Sequence, residues 1–293
     1  MTAPEAYAVR TASATTSRGY LLWVATAALF VLLFAKPAAL LGRDWWTNPE
    51  AGHGLLLAPV ALWLAWKRGW VDPARPSPLL GGALLLFAVL VRETAELAAE
   101  LFTMRASMLL AAVGLIVYFR GLRQLRAWWL PVLLIGLSIP LPELVTSRIA
   151  LPLQFKASAL GAQLLEWRGV PVLLSGNVIQ IPNHQLFVTE ACSGLRSLTA
   201  LLSLAVLMGG LWLNAPMSRV LLVAIGIPIA IFINGVRVFL TGFLVYYVDP
   251  KMGEGFMHIT EGWLLFGVSL SLTALAAAGV RAVERKLGHA GSD

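Results

Sequence analysis

A series of apolar runs punctuates this chain and decides what it can fold into. The runs are Tyr20–Leu41, Gly54–Trp66, Leu79–Val91, Ala106–Phe119, Ala127–Leu141, Leu195–Leu213, Val220–Tyr247 and Ile259–Val280. Segments of this kind suit a solvent without water, where a helix satisfies its own backbone hydrogen bonds. The charge content agrees. Only 13% of the 293 residues are charged and 58% are hydrophobic, whereas an ordinary soluble domain carries about a quarter charged residues. The expected fold is an all-α polytopic membrane bundle of about eight transmembrane helices. One membrane-embedded domain is expected over residues 20–286, between a disordered polar tail at 1–19 and a polar tail at 287–293. The second and third runs are shorter than the roughly 20 residues a perpendicular span needs. They read as spans with amphipathic ends or as a re-entrant pair. The run from Tyr20 lacks a small-residue cleavage site before Arg43 and reads as a retained first span.

Between Leu141 and Leu195 the hydropathy drops. Residues 143–168 read as one or two amphipathic helices, interrupted at Pro152 and stopped by Gly169. Then the pattern changes to short strands: 170–174, 177–181 and 186–189, with turn signals at Ser175-Gly176 and Pro182-Asn183. The expectation is a small extracytoplasmic α/β cap over about 142–191, directly before the only cysteine of the chain, Cys192.

Lys and Arg set the orientation. They gather in the N-terminal tail, the 67–75 hinge, the 120–126 loop, at Arg219 and at the C-terminal end, and they are sparser in the longer, alternate loops. The positive-inside rule then puts both termini in the cytoplasm and the cap outside. The same bias explains the net charge of +7 without nucleic acid.

Topology selects what can meet the thiol. Cys192 lies at the outer mouth of the span that begins at Leu195. Arg237 lies ten residues before Tyr247, which is about 15 Å below the outer end of its helix. Asn234 precedes it on the same face. His258 opens the last span, followed by Glu261. A neutral thiol is a poor nucleophile, and an imidazole, a cation or a helix N-terminus beside it favours the thiolate. An arginine can hold a developing oxyanion. Each residue also has an ordinary structural reading: a packing thiol, an ion-paired or snorkelling arginine, an interfacial histidine. His53 and His184 are rival bases on the same side, while His289 falls in the cytoplasmic tail. Arg196 is a rival cation one turn after Cys192, and Glu190 could orient a histidine. No Gly-x-Ser-x-Gly elbow, metal-ligand spacing or phosphate-binding glycine pattern occurs, so neither a metal nor a cofactor is expected.

The run Ala191-Cys-Ser-Gly-Leu-Arg-Ser197, then Asn234-Gly-Val-Arg237, then His258 with Glu261-Gly-Trp263, resembles the signature of the exosortases and archaeosortases. Trp45-Trp46 with Gly52-His53-Gly54, Ile139-Pro-Leu-Pro142, Leu151-Pro-Leu-Gln154 and Gly169-Val-Pro-Val172 through Gly176-Asn177 add to the likeness, which covers about residues 40–280. The resemblance implies a multipass cysteine transpeptidase of the bacterial inner membrane. It implies substrates that are exported proteins bearing a C-terminal sorting tail: a short motif such as Pro-Glu-Pro, a transmembrane helix and a basic cluster. It carries Cys192 over as nucleophile, Arg237 as stabiliser of the thiolate or transition state, and His258 as acid/base, with Asn234, Glu190, Arg196, His53 and Glu261 around them. The acceptor would be a membrane lipid or a lipid-linked group. Two other readings stay open: a non-catalytic subunit of lipid or exopolysaccharide export, and a purely hydrolytic intramembrane protease.

Overall fold

The computed structural model describes the backbone of residues 3–182, 184–188, 195–253 and 255–290. Ten α-helices follow in order: α1 Ala3–Thr47, α2 Gly54–Arg68, α3 Pro78–Leu97, α4 Leu101–Arg120, α5 Leu122–Ala127, α6 Trp129–Leu137, α7 Glu143–Trp167, α8 Leu195–Trp212, α9 Pro216–Tyr247 and α10 Gly255–Ala290. Among the described residues five helical segments are long and apolar enough to cross a membrane: Val24–Thr47, Pro78–Leu97, Leu101–Arg120, Pro216–Tyr247 and Trp263–Leu287. A shorter apolar helix covers Ser197–Trp212. The protein is thus a helical membrane protein. Its outward-facing side chains fit that solvent: Leu79 and Leu97 are each 90% exposed and Leu32 is 77% exposed. Stripes of this kind are a liability in water and cost nothing against lipid tails.

The structure refines several sequence expectations. Residues 3–19, read from sequence as a polar tail, carry helical backbone continuous with α1. The third apolar run does not stop at Val91. Helix α3 continues to Leu97 because its polar end is neutralised. Lys36 of α1 meets Glu96 at 2.8 Å, Arg92 meets Glu96 at 2.9 Å, and Arg92 also pairs with Glu93. The run Ala127–Leu141 is broken at Trp128, and α6 spans only nine residues. Helix α7 is continuous through Pro152, whose ring lies on the exposed face.

Helices α3 and α4 form a tight antiparallel pair. A Cβ on Gly81 would lie 2.4 Å from the backbone of Tyr118, the close approach that small residues permit between membrane helices. The connection is three residues long, with Ala99 in the left-handed region at φ 53°. Glu100 caps α4 by accepting from the N–H groups of Phe102 and Thr103 at 3.0 and 2.6 Å. Burial pushes the Glu100 carboxyl up, but bonds from the Thr103 hydroxyl, the Thr103 and Phe102 amides, and nearby Arg105 together hold it below the usual carboxylate range. A depressed folded value contributes stability above the unfolded value, and this is lost as pH falls through the folded one. Glu100→Ala should therefore cost about 1 kcal/mol near neutral pH. In detergent unfolding curves that difference should vanish below the ordinary carboxylate range.

One end of the bundle is basic and is tied by backbone-directed bonds. Buried Gln124 accepts from the N–H of Val71 and donates to the Gly69 carbonyl, and the Trp128 indole donates to the same carbonyl. Arg68 donates to the Ala127 carbonyl at 2.6 Å. The opposite end carries a three-stranded antiparallel sheet, β1 Leu173–Ser175, β2 Val178–Ile181 and β3 His184–Phe187, in the order β1-β2-β3. Gly176, at φ 63°, makes the first turn. Strand β2 alternates, with Ile179 and Ile181 buried, as a one-sided strand should.

Candidate active site

Helix α9 organises the cap end. Three of its positions take helix α7 or the sheet at very short range. A Cβ on Gly235 would lie 2.3 Å from the Leu160 side chain, and one on Gly242 would lie 2.8 Å from Leu165 and 3.1 Å from Leu186 of β3. In turn, a Cβ on Gly161 of α7 would lie 2.5 Å from Val238. The buried stripe of α7 is correspondingly small: Ala150, Gln154, Ala157, Ser158, Gly161, Ala162 and Leu165. Above this seam Ile179, Ile181 and Val188 join Val238 and Val245 in one apolar cluster. The α9–α7 contact is closed at its end by the Tyr247 hydroxyl, which donates to the Arg168 carbonyl at 3.2 Å.

A second face of α9 meets α8. Gly226 lies against Leu202 and Ala205, Ala230 clusters with Leu198 and Leu201, and Leu222 clusters with Ala205. The pairing is antiparallel, so each step toward the start of α8 matches a step toward the end of α9. Asn234 and Arg237 follow Ala230 by four and seven residues, and thus continue the α8-facing stripe. They stand at the end of the seam where α8 begins, three residues after Cys192 in sequence. Asn234 is buried at 6% exposure and Arg237 is half-buried. The Thr241 hydroxyl donates to the Arg237 carbonyl at 3.0 Å.

The other expected residues fare differently. Cys192 and Glu190 lie outside the described residues. Arg196 has helical backbone in the first turn of α8, and His258 and Glu261 have it in the first two turns of α10, while their side chains lie outside the description. Helix α10 packs antiparallel to α9 and parallel to α8, with Ala277 against Leu222 and Ala205. Its first turns therefore stand at the same end of the bundle as Arg237. His184 pairs with Ile181 at the β2–β3 turn.

His53 is turned elsewhere. Its Nδ1 lies 3.0 Å from the Glu50 carbonyl and its Nε2 lies 3.1 Å from the Leu137 carbonyl. Trp45 donates its indole N–H to the neighbouring Ser138 carbonyl at 2.8 Å. A Cβ on Gly54 would strike that indole at 2.2 Å. Trp45, His53 and Gly54 thus clasp the last turn of α6, just before Ile139-Pro140-Leu141-Pro142. This geometry ties His53 to the end of α6.

Two features were not read from the sequence. Arg105, expected in a loop, is 3% exposed and pairs with Asp44 at 2.7 Å, which joins α4 to the end of α1. Asn177 exchanges bonds with Val188: its Nδ2 donates to the Val188 carbonyl at 3.0 Å and its carbonyl accepts from the Val188 N–H at 2.9 Å. Gln154 of α7 accepts from the same Nδ2 at 3.4 Å. The chain is therefore held at Val188, four positions before Cys192. The sequence placed the turn at Ser175-Gly176 and Asn177 at the start of a strand, which did not reveal this partner. Asn177→Ala should remove about 1 kcal/mol per lost bond, read as faster proteolytic nicking of the hairpin in the folded protein.

Among the described residues no cluster of His, Cys, Asp and Glu could hold a metal ion. The family model for transmembrane exosortases matches residues 45–275. No curated protein and no solved structure matches the chain.

Proposed function

The chain belongs to the transmembrane exosortase family, and we propose that it is a cysteine transpeptidase acting on exported proteins that carry a C-terminal sorting tail. The observation that carries this reading is the placement of Arg237. It continues the α8-facing stripe of α9 to the end where α8 begins, beside the hairpin whose chain leads to Cys192. A guanidinium there is costly in an apolar bundle and marks a functional position.

In this reading the basic end of the bundle faces the cytoplasm of a bacterial cell, with both termini, and the cap end faces outward. Helices α2, α6 and α8 serve as further crossings, which brings the spans to the eight runs of the sequence. A substrate tail docks beside the bundle with its basic cluster inward and its short motif level with Cys192. The thiolate of Cys192 attacks the motif carbonyl. Arg237 holds the oxyanion of the tetrahedral intermediate. The intermediate collapses to a thioester as His258 protonates the departing amine, and the tail peptide leaves. An acceptor nucleophile, such as a lipid-linked amine or hydroxyl, then displaces the thiolate. Asn234, Arg196, Glu190 and Glu261 orient these groups. His53 acts through the α6 clasp.

Interception of the thioester tests the reading. Cells co-expressing the protein and a tagged tail-bearing substrate are treated with hydroxylamine. A thioester yields the hydroxamate of the trimmed substrate, seen as a defined mass at its new C-terminus. A trimmed product that never carries hydroxamate, under conditions where hydroxylamine reaches the outer face, removes the acyl-enzyme. A free carboxylate as the sole untreated product makes the protein a hydrolase.

A further inference from the structure

Two arginines from different helices converge on the start of α6 at the basic end of the bundle. Arg68 is the last residue of α2 and Arg219 lies in the first turn of α9. Arg68 donates through Nη1 to the Ala127 carbonyl at 2.6 Å. Arg219 donates through Nε and Nη2 to the Leu213 carbonyl at 3.1 and 2.9 Å, and its guanidinium lies 4.8 Å from the centroid of the Trp129 ring. Both are anchored within three residues of chain, Arg68 on the carbonyl of Ala127 and Arg219 on the ring of Trp129. Among the described residues neither has a carboxylate at ion-pair distance. Glu284 acts on Arg219, but its carboxylate already accepts from the N–H groups of Asn214 and Ala215.

Carbonyl oxygens satisfy donors but supply no net charge, so this pair repels itself. Each guanidinium has five N–H donors in a planar fork, the geometry that suits phosphate. One or two are used on each, and the remainder can serve an incoming anion. The surroundings place the pair at headgroup level. Trp66 and Trp70 are 80% and 58% exposed, and Lys67 lies 4.9 Å from the centroid of the Trp63 ring, the aromatic and basic mixture of a membrane interface. Leu62 and Leu221, exposed further along the same two helices, offer a surface for acyl chains.

We propose that Arg68 and Arg219, with Trp129 beneath, form a binding site for the phosphate of an anionic phospholipid. The net negative headgroup completes the charge balance between α2, α6 and α9, and its chains lie against α2 and α9. The site is independent of the chemistry assigned to Cys192.

The test measures thermal unfolding of the purified full-length protein in mixed micelles. One arm adds phosphatidylglycerol, one adds phosphatidylcholine, and one adds inorganic phosphate. Phosphatidylglycerol should stabilise the wild type saturably, while phosphatidylcholine and inorganic phosphate should not. In R68Q/R219Q the apparent affinity for phosphatidylglycerol should fall at least about tenfold, as expected for lost charge-assisted bonds. The control R123Q/R281Q removes the same charge from exposed side chains at the same end and should keep wild-type affinity. Equal stabilisation by phosphatidylcholine, or by inorganic phosphate, overturns the assignment. So does an equal loss of affinity in both double variants, which would make the effect general charge. If R68Q/R219Q does not fold, the single variant R68Q, which leaves the Arg219 bonds in place, must show the loss. In addition, mass spectrometry of the wild type must find an anionic phospholipid retained in preference to phosphatidylcholine.

Discussion

Cys192→Ala should abolish tail processing, by a factor on the order of 10⁴ or more, with no change in protein level. Removing the nucleophile of a triad-like set costs this much because the remaining groups have nothing to activate. The measurement is the band shift of a tagged tail-bearing substrate in cells making equal amounts of each variant. Arg237 is expected to act on the transition state, so Arg237→Ala should cost about 10²–10³-fold, the size of one lost oxyanion donor. Arg237→Lys keeps the charge but loses the planar fork, and should recover only part of that loss. His258→Ala should fall between these. The comparison has a decisive pattern. If Cys192→Ala processes normally while Arg237→Ala does not, covalent chemistry is wrong, and a lipid or glycan export subunit becomes the better reading. Asn177→Ala supplies an internal contrast, since it should loosen the hairpin without removing a reacting group.

The largest stability effect should come from Gly81→Leu. Its Cβ would sit 2.4 Å from the Tyr118 backbone in the last turn of α4, and backbone has no rotamer into which to retreat. Overpacking of this kind costs about 1–3 kcal/mol, and more where nothing gives. Here the α3–α4 pair must separate, so loss of the folded protein from mild detergent is the expected outcome. Gly82→Leu is the control. Nothing lies within 4 Å of a Cβ at position 82, so the same added volume one residue away should leave the melting temperature within about 2 °C. Equal destabilisation by both would mean that added bulk anywhere on this turn of α3, and not the α3–α4 contact, decides, since leucine is a better helix former than glycine.

Much of this architecture was legible because membrane sequence patterns are local. The apolar runs mark α4, α8, α9 and α10, and the alternation around Val178–Ile181 with flanking turn residues marks the hairpin. Boundaries failed where polar residues were neutralised by distant partners. Lys36, on another helix, is what allows Glu96 to remain in α3, and no local pattern contains that pair. The burial of Arg105 was not legible for the same reason, since its partner Asp44 is far from it in sequence. Within the site, Asn234 and Arg237 could be given one face by spacing alone, and the α8–α9 packing agrees. His53 could not be separated from His258 by spacing, because its contacts are with carbonyls at positions 50 and 137, the second on a distant helix. The family match runs from the end of α1 into α10, over residues 45–275, but assigns no single residue its part.

Helices α2 and α6 are short, and they are pinned to one another at both ends, by His53 at one and Arg68 at the other. At 15 residues α2 is about 22 Å long, well under the roughly 30 Å of hydrocarbon in a typical bilayer. Pinned ends leave no freedom to slide or tilt the mismatch away. With α2 as the crossing proposed above, the lipid must therefore yield, and the leaflets draw together along that flank of the bundle. Acyl-chain length then becomes a variable of the protein's stability and activity.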